Sequence, residues 1–417
     1  MEKCIICRHE KDNMSDEHVI PESLGGYYHI FNVCADCNSM LGAKVDTHLI
    51  NNKFGEFYRS TYNLKGKTGN IPNPYEGTFS SIEDPERKSK FKRNEDGSFE
   101  PHLLPYIKIK KDENGTINQI LIEVDESEKD SVGKLIEKIL KRNGLKKSDI
   151  KKTTSGTVSN VHQHKITWSI NLNEINLGVL KIAYEFAVDS IPSYFNDKMA
   201  TQISDVLFNA DADKAKEYTL IGDGFDKRII EPFESIFDIE KNKHYLMLLN
   251  YDSKLFCLII INCVYYIGVK LSDSTYFDLK SSIIGVNDVD NGTFNRLTLQ
   301  EAFYVCMGPI EYTFYNKGEP LTLMEADFKP VEYPTHLFKK NVIPLYDKNK
   351  TPISTVHEVL DTLNPYDYHK SEITKHSSSF SLPLKNHTHE YYIKSQSTGH
   401  IYPVDTIEIV QEWKGRI

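Results

Sequence analysis

Hydrophobic residues recur along this chain with two periods, and each period predicts its own elements. Leu177, Leu180, Tyr184, Ala187 and Val188 follow helical spacing, which predicts a helix from about Glu174 to Asp189, ending before Pro192. A second helix is expected from about Asn196 to Phe208. An amphipathic helix is expected over Asp130 to Asn143, with Val132, Leu135, Ile136, Ile139 and Leu140 on one face and Gly144 as its stop. From Lys243 the pattern changes to runs of strand type: His244–Leu249, Lys254–Ile261 and Val264–Lys270. A turn at Tyr251-Asp252-Ser253 joins the first two, so these runs read as a buried antiparallel meander. Tyr106–Lys110 and Gln119–Val124 predict a hairpin turning at Glu113-Asn114-Gly115. Nearer the C-terminus a short helix is expected around Val356–Leu363, with strands at Tyr391–Ser395 and Thr406–Val410.

The first 60 residues carry a different rhythm. Val19 and Ile20 suit the end of a strand, Pro21 stops it, and Gly25-Gly26 marks a turn. Tyr27 to Val33 returns as a second strand, and Met40, Leu41, Val45 and Leu49 place a helix over Asn38 to Asn51. The order strand, turn, strand, helix makes residues 1–60 a unit of their own. Residues 61–100 are rich in Gly, Pro, Asn and charge and read as a loop-dominated connection. The expected organisation is α+β in three parts: 1–60, a segment 61–152 of linker, hairpin and basic helix, and a larger mixed region 153–417 containing the meander.

Composition adds limits. With 417 residues, 39% hydrophobic and 26% charged, the chain is globular and long enough for two or three cores. The longest apolar run, Leu255 to Val269, is interrupted by Asn262 and is too short to cross a bilayer. The opening Met1-Glu2-Lys3-Cys4 turns polar by Arg8, so no export signal is expected, and a cytoplasmic location follows as an expectation. The net charge of −9 argues against a protein held to polyanions by bulk charge. Charge is uneven, however. Residues 134–152 hold eight basic side chains against two acidic ones, which makes Lys141, Arg142, Lys146 and Lys147 candidate nucleic-acid contacts. A solvated helix face is the alternative reading of the same run.

Cysteine usage is the sharpest signal. Four of seven cysteines fall in two pairs, Cys4-x-x-Cys7 and Cys34-x-x-Cys37. Two thiolates on one tight turn grip one side of an ion and a second pair closes the tetrahedron, so the four read as a structural zinc site. A redox pair in each knuckle is the alternative. Cys257, Cys263 and Cys306 sit among Leu, Ile, Tyr and Val and read as small buried hydrophobes.

Between and beside the knuckles lie Glu17-His18-Val19-Ile20-Pro21, Leu24-Gly25-Gly26 and Asn32-Val33-Cys34-Ala35-Asp36-Cys37-Asn38. This stretch, from Cys4 to Asp46, resembles the zinc-containing ββα-metal class of HNH endonucleases. The resemblance implies a ββα-metal module stapled by zinc, with DNA as substrate. It implies His18 as the general base, Glu17 and Asn38 as ligands of a catalytic divalent ion, and Asn32 as the residue that pins the connecting loop and orients the histidine. Asparagine at the last position points to magnesium or manganese over a softer metal. His29 and His48 lie in the same module and either assist or are surface residues, and His387-Thr388-His389 has metal-like alternation without a third ligand. A non-catalytic zinc ribbon that binds nucleic acid or protein is the competing reading. HNH modules joined to large further regions resemble bacterial defence effectors. That likeness implies activation through residues 153–417 by a partner of the short Argonaute type or by a nucleotide signal, with a self-contained restriction or homing-type enzyme as the alternative. The net charge of −3 over residues 1–60 adds the expectation that a second copy of the chain or a protein partner assists DNA binding.

Overall fold

The computed structural model describes residues 2–66, 69–157, 163–219, 228, 231, 233–234, 236–239, 242–261, 265–321, 343–356, 358–359, 370–373, 377–384, 390–395 and 397–417. Cys263, His387-Thr388-His389 and most of the expected helix near Val356–Leu363 lie outside these residues. The chain packs as two compact units. One comprises Met1–Val19, Tyr27–Ser39 and Val179–Ile417, and the other Ile20–Gly26 and Met40–Gly178. The boundaries read from the sequence, near 60 and 152, do not coincide with this division. The N-terminal strands belong with elements that begin about 140 residues further on, and no local pattern reports that.

In the first unit, Met14–His18 and His29–Cys34 form a short antiparallel hairpin, and Ala35–Leu41 continues directly from it as a helix. The strand expected to end at Val19-Ile20 ends at His18, and the helix begins inside the second knuckle, three residues earlier than its apolar spacing suggested. The meander is present as expected. Its five antiparallel strands are ordered Tyr265–Ser272, Lys254–Ile261, Lys243–Tyr251, Ile283–Asp288 and Thr293–Thr298. The tight turn between its first two strands places Asp252 and Ser253 at positive φ (49° and 57°), the twist that a two-residue hairpin loop requires. Tyr245, Met247, Leu258, Ile260, Ile284 and Leu299 share one core cluster. A second five-stranded sheet pairs Met307–Asn316 with Thr406–Trp413, and a four-stranded sheet joins Pro344–Tyr346 to Tyr391–Lys394.

Leu172–Ser190 is the helix that matters most to the site. Residues 179–188 are buried on every face, so the element sits inside a core instead of lying on one. Lys181 and Glu185 are buried within it.

In the second unit, Tyr106–Lys111 and Ile117–Glu123 form the expected hairpin, and Val132–Arg142 the expected amphipathic helix. Residues 61–100 are not the loop that composition implied. They contain a three-stranded sheet of Phe79–Ser80, Lys88–Arg93 and Phe99–Leu103. Its central strand alternates exposed Lys88, Lys90 and Lys92 with inward Ser89, Phe91 and Arg93, so the charge outweighs the apolar signal that normally identifies a strand. In the loop after the first hairpin strand, Gly25 takes φ +77°, and a Cβ on Gly26 would lie 1.9 Å from the Ile20 carbonyl oxygen, so both glycines are required.

Candidate active site

Cys4 and Cys7 bracket a turn in which the Arg8 amide bonds to the Cys4 carbonyl, 2.9 Å away. Cys34 ends the hairpin and Cys37 lies in the first turn of the helix, so one strand-to-helix junction presents both thiols of the second pair. The four sulfurs lie within 4.8 Å of one another, and Cys4, Cys34 and Cys37 are buried. The Cys34 N–H donates to Cys4 Sγ at 3.4 Å. A hydrogen bond from Cys37, helped by that amide, holds the Cys4 thiol well below its ordinary range, at about 4, against the opposing effect of burial. The same interaction pushes Cys37 up, and burial raises Cys7. Four convergent sulfurs with one already favoured as a thiolate fit a tetrahedral structural zinc ion and leave no position open for substrate.

The hairpin carries the second group of residues. Its register opposes His18 and His29, and an irregularity between Ser15 and Glu17 lets Asp16 bulge from the ladder. The ring centroids of His18 and His29 are 4.1 Å apart, and His29 Nδ1 is 2.7 Å from Asp16 Oδ1. One donor atom from each of Asp16, His18 and His29 lies within 4.8 Å of the others, and all three residues are at least partly exposed. Asn38, one helical position beyond Cys37, donates from Nδ2 to the Asp16 carbonyl at 2.7 Å and to Ser15 Oγ at 3.1 Å. The helix residue after the second knuckle and the strand bearing His18 are thereby joined.

Glu17 and Asn32 are the other two expected site residues. Glu17, expected to hold a metal ion beside His18, is 3% exposed, and its Oε1 lies 2.5 Å from Lys181 Nζ. Successive strand residues face opposite ways, so the neighbour of an outward His18 points inward, and Asp16 supplies the carboxylate on the outer side. Asn32, expected to pin the loop and orient the histidine, accepts the Ile5 N–H on its backbone carbonyl at 3.0 Å. Its side-chain Oδ1 is buried without a hydrogen-bond partner among the described residues.

Residues 4–54 match the HNH endonuclease family model. The matched segment of the HNH module spans both knuckles, the hairpin, Asn38 and the helical stretch that follows, and such a module suggests a nuclease acting on DNA. No curated protein and no solved structure matches the chain.

Asp16 carries no motif signal of its own in the sequence, and His29 is open there to two readings. Both were accessible in principle: Asp16 and His18 are two apart on a strand and share a face, and His29 follows from the hairpin register. His48 is engaged elsewhere, with Nδ1 3.2 Å from Glu174 Oε2 in the second unit. The four basic candidates, Lys141, Arg142, Lys146 and Lys147, are all exposed, the first two at the C-terminal end of the amphipathic helix. No described helix is long and apolar enough to cross a membrane.

Proposed function

We propose that the protein is a metal-dependent HNH endonuclease that hydrolyses DNA phosphodiester bonds at the face formed by Asp16, His18, His29 and Asn38. The observation that carries this reading is the arrangement around His18. A partly exposed imidazole stands at a strand end, oxygen donors lie beside it, and a cluster of four cysteines fixes the strand-to-helix junction next to it. His18 takes the proton from the attacking water as the water oxygen bonds to phosphorus; the bond to the 3′ oxygen breaks and that oxygen is protonated from solvent. Asp16 orients His29 across the 2.7 Å that separates them, and Asn38 braces the strand while keeping its carbonyl oxygen as a donor. The outer oxygen donors, Asp16 and Asn38, suit magnesium or manganese, in place of the pair of Glu17 and Asn38 first expected. Such an ion supplies charge stabilisation to the phosphate and the departing oxygen.

Supercoiled plasmid incubated with the full chain and magnesium or manganese should be nicked or linearised, and EDTA should abolish the reaction. No conversion with either ion, with or without candidate activators, would favour the inert zinc-ribbon reading.

DNA binding falls to the second unit in this proposal. Lys141, Arg142, Lys146 and Lys147 are exposed there, as are Lys88, Lys90 and Lys92 on one strand and Lys108, Lys110 and Lys111 on another. Alanine at the first four should weaken DNA binding without sequence bias. It should also make the dependence of log K on log salt shallower by about one for each phosphate that is no longer neutralised. An unchanged salt slope in a filter-binding or anisotropy titration would remove them from the interface.

Residues 153–417 are assigned the regulatory role, so that the chain acts as a defence effector in the cytoplasm. A partner of the short Argonaute type, a nucleotide signal or a second copy then switches cleavage on. The support is architectural: the sheets built from residues 243–417 gather no second group of metal-ligating side chains among the described residues.

A further inference from the structure

The helix Leu172–Ser190 lies far outside the matched segment, yet one of its side chains reaches the strand that carries His18. Lys181 is 0% exposed. Its Nζ donates to the His18 carbonyl at 2.7 Å, lies 2.5 Å from Glu17 Oε1, and lies 3.5 Å from Glu185 Oε2 one turn further along the helix. Further bonds run along the same helix. The Tyr184 hydroxyl donates to the Ile5 carbonyl at 2.6 Å, inside the first zinc knuckle. Asp189 accepts from the hydroxyl of Tyr28, one residue before the second hairpin strand, and Arg296 donates to both of those groups. Tyr28 stacks on Phe294 with ring centroids 4.0 Å apart.

Taking a lysine fully out of water is costly unless good partners replace the solvent. Here the partners are the backbone and side chain of the two residues at the end of the first hairpin strand. We propose that Lys181 is a positioning residue for the nuclease centre. Its ammonium group clamps the Glu17 carboxylate and the His18 carbonyl, and so fixes the direction in which the His18 imidazole leaves the strand. The inference rests on the nuclease reading, and it goes further in one respect: the working centre includes a helix that begins more than a hundred residues beyond the HNH module. It also assigns Glu17 to the clamp instead of to the catalytic ion.

Lys181→Met alone removes the cation from between two buried carboxylates and is expected to damage folding. The decisive variant of the full chain is therefore the neutral triple, Glu17→Gln, Lys181→Met and Glu185→Gln, which keeps side-chain volumes close to native. It should retain zinc and melt cooperatively. Its kcat for plasmid nicking should fall about 10- to 100-fold, with KM for DNA and the half-saturating magnesium concentration unchanged, because a small displacement of a catalytic group costs turnover and not binding. Hydrogen exchange should quicken in a peptide covering residues 14–20 and stay native in one covering the helix after Cys34. A folded triple variant with native kcat and native exchange would overturn the proposal. So would a raised magnesium requirement with kcat restored at saturation, since that result would return Glu17 to the metal. If the wild-type chain cleaves no DNA at all, the nuclease reading fails, while the exchange comparison still decides whether Lys181 clamps the strand.

Discussion

The His18→Ala variant should nick DNA two to four orders of magnitude more slowly than the wild-type chain, roughly the contribution of a well-placed general base. The loss should be confined to chemistry. Lys181 bonds to the His18 carbonyl, so the strand keeps its anchor when the imidazole is removed. The four cysteines form a cluster of their own, separate from the group that includes His18, so zinc content and the melting curve should match wild type. Single-turnover cleavage at saturating magnesium is the appropriate measurement, with DNA binding recorded in parallel. Equal rates for mutant and wild type would remove His18 from the mechanism. An equal loss of rate and of zinc would mean that the residue is structural.

Removing zinc should have the other large effect, and on stability. Zinc bound by four thiolates contributes on the order of 10 kcal/mol to the folding of small modules, comparable with the whole stability of a domain. Cys34 is fully buried at the point where the hairpin becomes the helix, so Cys34→Ser breaks the staple at the junction that sets Asn38 against Asp16. The variant, or wild type stripped with a strong chelator, should lose cleavage and melt at a markedly lower temperature. Added zinc should restore stripped wild type, and magnesium should not. Acid should favour stripping, because protons compete with zinc for the thiolates. A zinc-free protein with native melting and native activity would show that the cluster is not a staple.

The sequence made some features legible and hid others for physical reasons. Paired CxxC knuckles have few alternative explanations, and the four cysteines converge as their spacing required. The meander and the amphipathic helix announced themselves because each buries one clear pattern. The strand Lys88–Arg93 was hidden by lysines on its exposed face, which lower its mean hydropathy without altering its period of two. Glu17 faces inward beside Lys181, on the opposite side of the strand from His18, as strand alternation implies. Lys181 was the least accessible. Its helix is buried all round, so amphipathic spacing could not mark one side as special. What remained was a weak sign, Lys181 and Glu185 one turn apart in an otherwise apolar run, whose partners lie more than 160 positions away. The fold class and the four-cysteine cluster were therefore readable from local pattern, whereas the packing of Lys181 against the strand bearing His18 depends on long-range pairings that no local pattern encodes.

That seat has a consequence for how the protein comes into being. Translation delivers residues 4–54 first and Lys181 well over a hundred residues later, a delay of about ten seconds at ordinary elongation rates. During that interval a nascent chain can gather its cysteines, but the strand bearing His18 has no clamp. On the proposed clamp, a chain ending before Lys181 should therefore nick plasmid DNA far more slowly than the full chain. On that reading, the distance in sequence between the histidine and its lysine is a safety interval set by the order of synthesis.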